Sequence, residues 1–196
     1  MNPHRISVVS LFFCALCLLA HPAQVCAWVS PVTRTSSPGV VRRAFEPTEH
    51  NWLSGHRGVD LEAHPGTPIY ASGTGVVAFA GVVAGSPTVS IDHDEPVAST
   101  GNNRATELFN LDPMTRIRTT YQPVIAQVKQ GQRIHEGQLI GHVGGQPAAH
   151  HHAASGLHWG ARILPTDDHY INPLFLLPTP VIRLKPFHAA TPAGAP

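Results

Sequence analysis

Between Pro68 and Ile163 the chain is divided into short apolar runs set off by glycine and proline, and none has the length or period of a multi-turn helix. The runs are Pro68 to Ala71, Gly75 to Val83, Thr88 to Asp92, Ile117 to Tyr121, Gln138 to Val143 and Leu157 to Ile163. Such runs bury one face by alternation, and the breakers between them return the chain for another pass. With 17 Gly and 19 Pro in 196 residues, turn-forming residues are plentiful. The pattern predicts an all-β, antiparallel, sheet-based single domain with few short helices. Alternation puts His158 on one face with Gly156, and Gly160 with Arg162. The clearest helical signal is Ile171 to Leu177, with Asn172 as cap and Pro173 at the first helical position.

The ends read differently from this middle. Arg5 followed by the apolar run Val8 to Ala20, then Val25-Cys26-Ala27, has the form of a secretory signal peptide over residues 1–27. His21 and Pro22 end the apolar run short of the ~18–20 residues that span a bilayer. Cys26 raises the alternative of a lipidated cysteine, but Ala23-Gln24-Val25 is a poor match to the residues such a site requires. Cys14, Cys17 and Cys26 all fall before residue 28, so an exported chain is expected to carry no disulfide. Residues 28–49 contain Pro31, Pro38, Gly39 and Pro47 and read as a linker or lead-in. Residues 178–196 form a Pro- and Ala-rich tail, with a candidate extra strand at Val181 to Leu184. One domain over residues 50–177 remains, large enough for its own core. A formal net charge of +1 supplies no basic field for nucleic acid.

His56 and Asp60, in Gly55-His56-Arg57-Gly58-Val59-Asp60-Leu61, offer an imidazole and a carboxylate that share a face if the segment is extended. His158, in Leu157-His158-Trp159-Gly160-Ala161-Arg162, offers a second imidazole. Two His and one Asp leave the fourth position of a tetrahedral ion free, which is the donor count of a catalytic zinc site. Structural zinc sites usually have four protein ligands and are rich in Cys. The chain has 14 His, so a lone His-x-x-x-Asp pair carries little weight. His64, His135, His142 and His169 read as surface residues, and Arg162 and Glu62 as structural, pairing near the groove.

The text around the ligands carries more. Asp60-Leu61-Glu62-Ala63-His64-Pro65-Gly66-Thr67-Pro68-Ile69-Tyr70-Ala71 leads into Gly73-Thr74-Gly75-Val76-Val77-Ala78-Phe79-Ala80-Gly81. Thr119-Thr120-Tyr121 follows, and then Val128-Lys129-Gln130-Gly131-Gln132-Arg133-Ile134-His135-Glu136-Gly137-Gln138-Leu139-Ile140-Gly141. In this order the motifs resemble the lysostaphin-type (LytM-like) zinc endopeptidases, over residues 50–177. The resemblance implies a duplicated-hybrid-motif-like sheet with a groove. It also implies Zn2+ held on the groove floor by His56, Asp60 and His158, and peptidoglycan or cell-wall peptides as substrate. The protein would then be secreted and cell-wall associated.

The chain departs from that family in three places. Residues 94–116 replace a short turn with a longer loop that includes a possible helical turn at Ala105 to Leu111. It reads either as a variable surface excursion or as a flap over the groove. In the resembled family two further His assist the chemistry, one two residues before the last ligand and one two residues after the Thr-Tyr strand. Here those positions hold Gly156 and Pro123, which can neither take nor give a proton. His150, His151 and His152 lie just before the strand of His158 and can substitute as general acid or base; a solvated loop and an accessory metal tract are the competing readings. Tyr121 is either a donor to a developing oxyanion or a core or rim residue. Three functions follow. One is a zinc metalloendopeptidase; another is a degenerate, non-hydrolytic domain that binds cell wall or regulates a partner wall hydrolase. A generic extracellular metal binder using the His run is a third.

Overall fold

The computed structural model describes residues 28–50, 52–97, 106–107, 110–112, 114–145, 156–165 and 169–178. Two antiparallel sheets hold these residues. The larger contains β1 (Val41–Arg43), β2 (Gly58–Leu61), β4 (Gly75–Val83), β5 (Ser86–Pro96), β6 (Arg116–Gln122), β8 (Arg133–Ile134), β10 (Leu157–Leu164) and β11 (Tyr170–Ile171). Its order is β1-β2-β10-β6-β5-β4-β8, with β11 on β10. The smaller sheet, in the order β3-β9-β7, is made of β3 (Pro68–Tyr70), β7 (Val124–Ala126) and β9 (Leu139–Val143).

The register of the central strands decides what each face can do. Trp159 lies opposite Val59 on one side and Tyr121 on the other, and Tyr121 in turn opposite Val89. Leu157 and Leu61 pair in the same way, and all six side chains are fully buried. Each large apolar side chain so buried contributes roughly 1.5–3 kcal/mol. A slip of one residue would turn this whole set to solvent, so the apolar face pins the register. The residues between them are thereby committed to the other face: His158 opposite Asp60 and Gln122, Gly160 opposite Gly58 and Thr120, and Arg162 opposite Arg118.

The lead-in is more than a linker. Trp28 is 1% exposed and packs on His93, with ring centroids 4.5 Å apart. The Val29 amide donates to the Ser72 carbonyl at 2.9 Å, and β1 pairs with β2. These anchors are single residues and a three-residue strand, too short to show a period. Glu62 pairs with Arg42 of β1. The long loop is shorter than its sequence span, because β5 runs to Pro96 and β6 starts at Arg116. The Val97 amide also donates to Thr115 at 2.8 Å. Within it Thr106 and Glu107 are helical. The helical signal near the end is a short 3-10 helix, Pro173–Leu176. Asn172 caps it, its side chain accepting from the Leu174 amide. The signal-peptide segment and the candidate strand at 181–184 lie outside the described residues.

His93 sits within the core at 0% exposure, its Nε2 2.7 Å from Thr119 Oγ1 and its Nδ1 3.3 Å from the Thr74 carbonyl. Burial pushes its pKa down to about 4, against weaker opposing effects from the Thr74 and Gly73 backbone and from Asp92 and Asp94. The folded chain therefore holds this imidazole neutral where an unfolded one, near ~6.5, takes up a proton. Its contribution to stability is present above ~6.5 and is lost as pH falls toward 4, a change of about 3 kcal/mol. Urea unfolding followed across that range should show the loss. A His93→Leu variant, whatever its absolute stability, should lack that part of the slope.

Candidate metal centre

His56 lies between β1 and β2 and is fixed at both its backbone and its ring. Its amide and carbonyl pair with those of Glu46 at 3.0 and 2.9 Å. Its Nδ1 donates to the Ala44 carbonyl at 2.7 Å, which makes Nε2 the ring atom presented to the other two ligands. That Nε2 lies 3.0 Å from Asp60 Oδ1 and 3.0 Å from His158 Nδ1, and the last two atoms are also 3.0 Å apart. One carboxylate oxygen and two ring nitrogens thus form an equal-sided triangle. Donors on a tetrahedral zinc ion, each ~2.0–2.1 Å from it, sit about 3.3 Å from one another. The set fits such an ion after a shift of a few tenths of an ångström. Among the described residues this is the group of three with metal-ligating geometry.

The environment suits a cation open on one side. His56 and Asp60 are buried, whereas the His158 side chain is 25% exposed. Burial by itself pushes the Asp60 carboxyl up. Hydrogen bonds and charge from His158 and His56 outweigh it and hold the group down at about 2. A desolvated carboxylate against two imidazoles is a strong electrostatic seat for a divalent ion. Gly58 makes room for the third ligand. A Cβ there would meet the Trp159 carbonyl oxygen at 2.4 Å and the His158 ring at 2.8 Å.

The two positions that hold assisting His in the resembled family are packed into the fold. A Cβ at Gly156 would lie 2.4 Å from the Leu61 carbonyl oxygen, so no side chain fits unless β2 and β10 separate. Pro123 is buried where β6 passes into β7, its carbonyl accepting from the Gly144 amide at 3.0 Å. Tyr121 is corrected to a core residue. It is 0% exposed and pairs with Trp159 on the face away from the ligands. Its hydroxyl is 3.0 Å from the Ser72 amide and 2.8 Å from Thr119 Oγ1, and burial pushes its pKa up. His150, His151 and His152 lie outside the described residues.

The residues that do share the ligand face were not singled out from sequence. Gln122 is directly across from His158, and Thr120 is across from Gly160, its hydroxyl 3.1 Å from Ser90 Oγ. Farther along the same face Arg118 forms a two-bond pair with Asp92, one bond at 2.7 Å. The available signal was alternation: Thr120 and Gln122 are the polar neighbours of a tyrosine that belongs to the core.

The sequence pattern of Peptidase family M23 matches residues 54–173. Curated relatives include uncharacterized proteins of Mycobacterium tuberculosis and Mycobacterium bovis, each 40% identical over 151 residues, 76% of this chain and 52% of theirs. The chain thus spans about half the length of the curated relatives it matches. Among solved structures, Helicobacter pylori Csd3 is similar with a TM-score of 0.52 at 24% identity, covering 82% of this chain and 37% of that one. A zinc containing peptidase from Vibrio cholerae gives 0.50 at 19% identity, covering 70% and 37%. A structure of the SpoIIQ-SpoIIIAH pore forming complex gives 0.50 at 20% identity, covering 80% and 94%. At these identities the structural likeness is one of fold. The resemblance to lysostaphin-type peptidases and the all-β antiparallel class are borne out.

Proposed function

The chain belongs to peptidase family M23, and from this we propose that it is a secreted zinc-dependent endopeptidase that cuts peptides of the bacterial cell wall. The observation that carries the reading is the 3.0 Å triangle of His56 Nε2, Asp60 Oδ1 and His158 Nδ1. His56, Asp60 and His158 would hold the zinc ion, which would supply Lewis acidity toward water and a scissile carbonyl. Asp60 contributes the negative charge of the seat, and the Ala44 carbonyl keeps His56 in the tautomer that presents Nε2. The open side at His158, whose side chain is 25% exposed, is where a peptide enters. Gln122 and Thr120 offer an amide and a hydroxyl on the same floor to align a peptide backbone. His150, His151 and His152 are proposed to move the proton that Gly156 and Pro123 cannot. Export through residues 1–27 and a place at the cell wall belong to the same proposal.

A second reading has its own support. The Leu61 carbonyl closes off the Gly156 position and Pro123 is built into the core, so this backbone has no room for the usual assisting groups. That favours a domain that binds wall or regulates a partner hydrolase, and the fold also occurs in a pore forming complex. Mass spectrometry of purified peptidoglycan incubated with the full chain separates the two. New peptide termini that appear with zinc and vanish with a chelator support the peptidase. A chain saturated with zinc that sediments with the wall and creates no new termini supports the binder.

A further inference from the structure

Beside the metal centre lies a cavity of about 470 Å³, lined by Phe45, Thr48, Glu49, Trp52, Arg57 and Tyr170 among others. Its volume falls within the ~300–1,000 Å³ range of small-molecule sites. It is joined to the centre by backbone. Glu46 on its wall is paired with ligand His56 in both directions, and Arg57 follows that ligand directly. The most exposed large apolar side chain among the described residues, Trp52 at 81%, stands at its edge. Exposure alone would not single it out, but an indole held at the edge of a cavity offers a large apolar face to whatever the cavity holds.

Trp52 is held in place. His50 stacks on one face of the indole, with centroids 4.4 Å apart and planes 11° from parallel. The turn that carries it is closed by the Leu53 amide donating to the His50 carbonyl at 3.0 Å. Thr48 Oγ1 donates to the same carbonyl at 2.9 Å, and Arg57 Nη2 to the Leu53 carbonyl at 3.0 Å. A preorganised plate of this kind loses little conformational freedom on binding. The charges nearby are matched: Glu46 pairs with Arg43 at 3.6 Å, and Glu49 and Arg57 line the same cavity with opposite signs. A balanced lining gives no advantage to an ammonium or carboxylate ligand. It suits a neutral ring with one apolar face and hydrogen-bonding groups around its edge.

We propose that this cavity binds a pyranose ring of the wall's glycan strand, an uncharged N-acetylated amino sugar whose C–H face packs on Trp52 while its hydroxyl and amide groups meet Thr48, Glu49 and Arg57. The inference rests on the reading of the chain as wall-directed, and it places the glycan beside the centre where the attached peptide is cut.

The probe is a soluble β-1,4-linked tetramer of N-acetylglucosamine, free of peptide, added to the full chain in a chelator so that no hydrolysis contributes. Trp28 and Trp159 are buried at 1% and 0% exposure, so quenching of tryptophan emission by acrylamide reports chiefly on Trp52. The tetramer should bind with a Kd of ~1 mM and at saturation lower the quenching about two-fold. Calorimetry should show binding about ten-fold weaker for Trp52→Ala and near the parent's for Trp52→Phe. Unchanged quenching, or equal binding by Trp52→Ala, overturns the subsite. Because the measurement needs neither zinc nor cleavage, the two readings fail separately. A chain that cuts wall peptides but ignores the tetramer refutes the subsite alone. One that binds the tetramer but never cuts supports the subsite and refutes the peptidase.

Discussion

Replacing His158 with alanine is expected to empty the centre of zinc and take cleavage to background. His158 is the ligand brought from a separate strand, and its Nδ1 closes the triangle at 3.0 Å from both other donors. Without it His56 and Asp60 leave two ligand positions to water, and even loss of an outer hydrogen-bond partner to a ligand typically costs ~10–100-fold in affinity. Loss of a ligand itself should therefore exceed ~100-fold, and the Lewis acid leaves with it. The fold should persist, since the ring is 25% exposed and the strand is held by Leu157 and Trp159 on the other face. Asp60 should then titrate higher, having lost one of the two imidazoles that lower it against its burial. Elemental analysis of the purified variant reads the metal, and the wall digest reads the activity. A variant that retains the parent's zinc would remove His158 from the ligand set.

The strands that bury one face over five or more residues were legible in the sequence, and β4 has the bounds its apolar run predicts. The missing ones have physical reasons. β8 and β11 have two residues each, and β1 and β7 three, too few to show alternation, whereas the equally short β3 was marked by the prolines and glycines around it. β2 has four residues buried on both faces, Val59 and Leu61 against the core and Gly58 and Asp60 on the ligand side, too short a run to stand out as a strand. Asn172 and Pro173 were readable because a cap acts through its nearest neighbours. The ligand residues could be named from their motif, but their convergence depends on β2 and β10 pairing Asp60 with His158, a cross-strand register no local pattern contains. The same gap accounts for Tyr121. Which of two adjacent residues faces the metal is decided by the partner strand, and Trp159 draws Tyr121 inward while His158 places Gln122 outside. A single step of register separates the residue singled out from the one that shares the ligand face.

The packing limits which groups can move the proton in the proposed cleavage. Gly156 admits no side chain, Pro123 has no proton to exchange, and Tyr121 faces the core. If the chain is the proposed peptidase, an acid or base other than these three would serve it, and His150, His151 and His152 precede β10 in the sequence with three imidazoles. Changing all three to alanine should slow zinc-dependent cleavage about 10²–10⁴-fold, the scale on which general acid–base catalysis acts, with zinc content unchanged. The two readouts separate the roles. Lost cleavage with lost zinc would make the run an accessory metal tract, whereas lost cleavage with retained zinc assigns it the proton. A triple variant that cuts as fast as its parent refutes the substitute role. Catalysis would then rest on the His56–Asp60–His158 seat and on what Gln122 and Thr120 do to hold the peptide over it, and Gln122→Ala becomes the substitution that must slow the reaction.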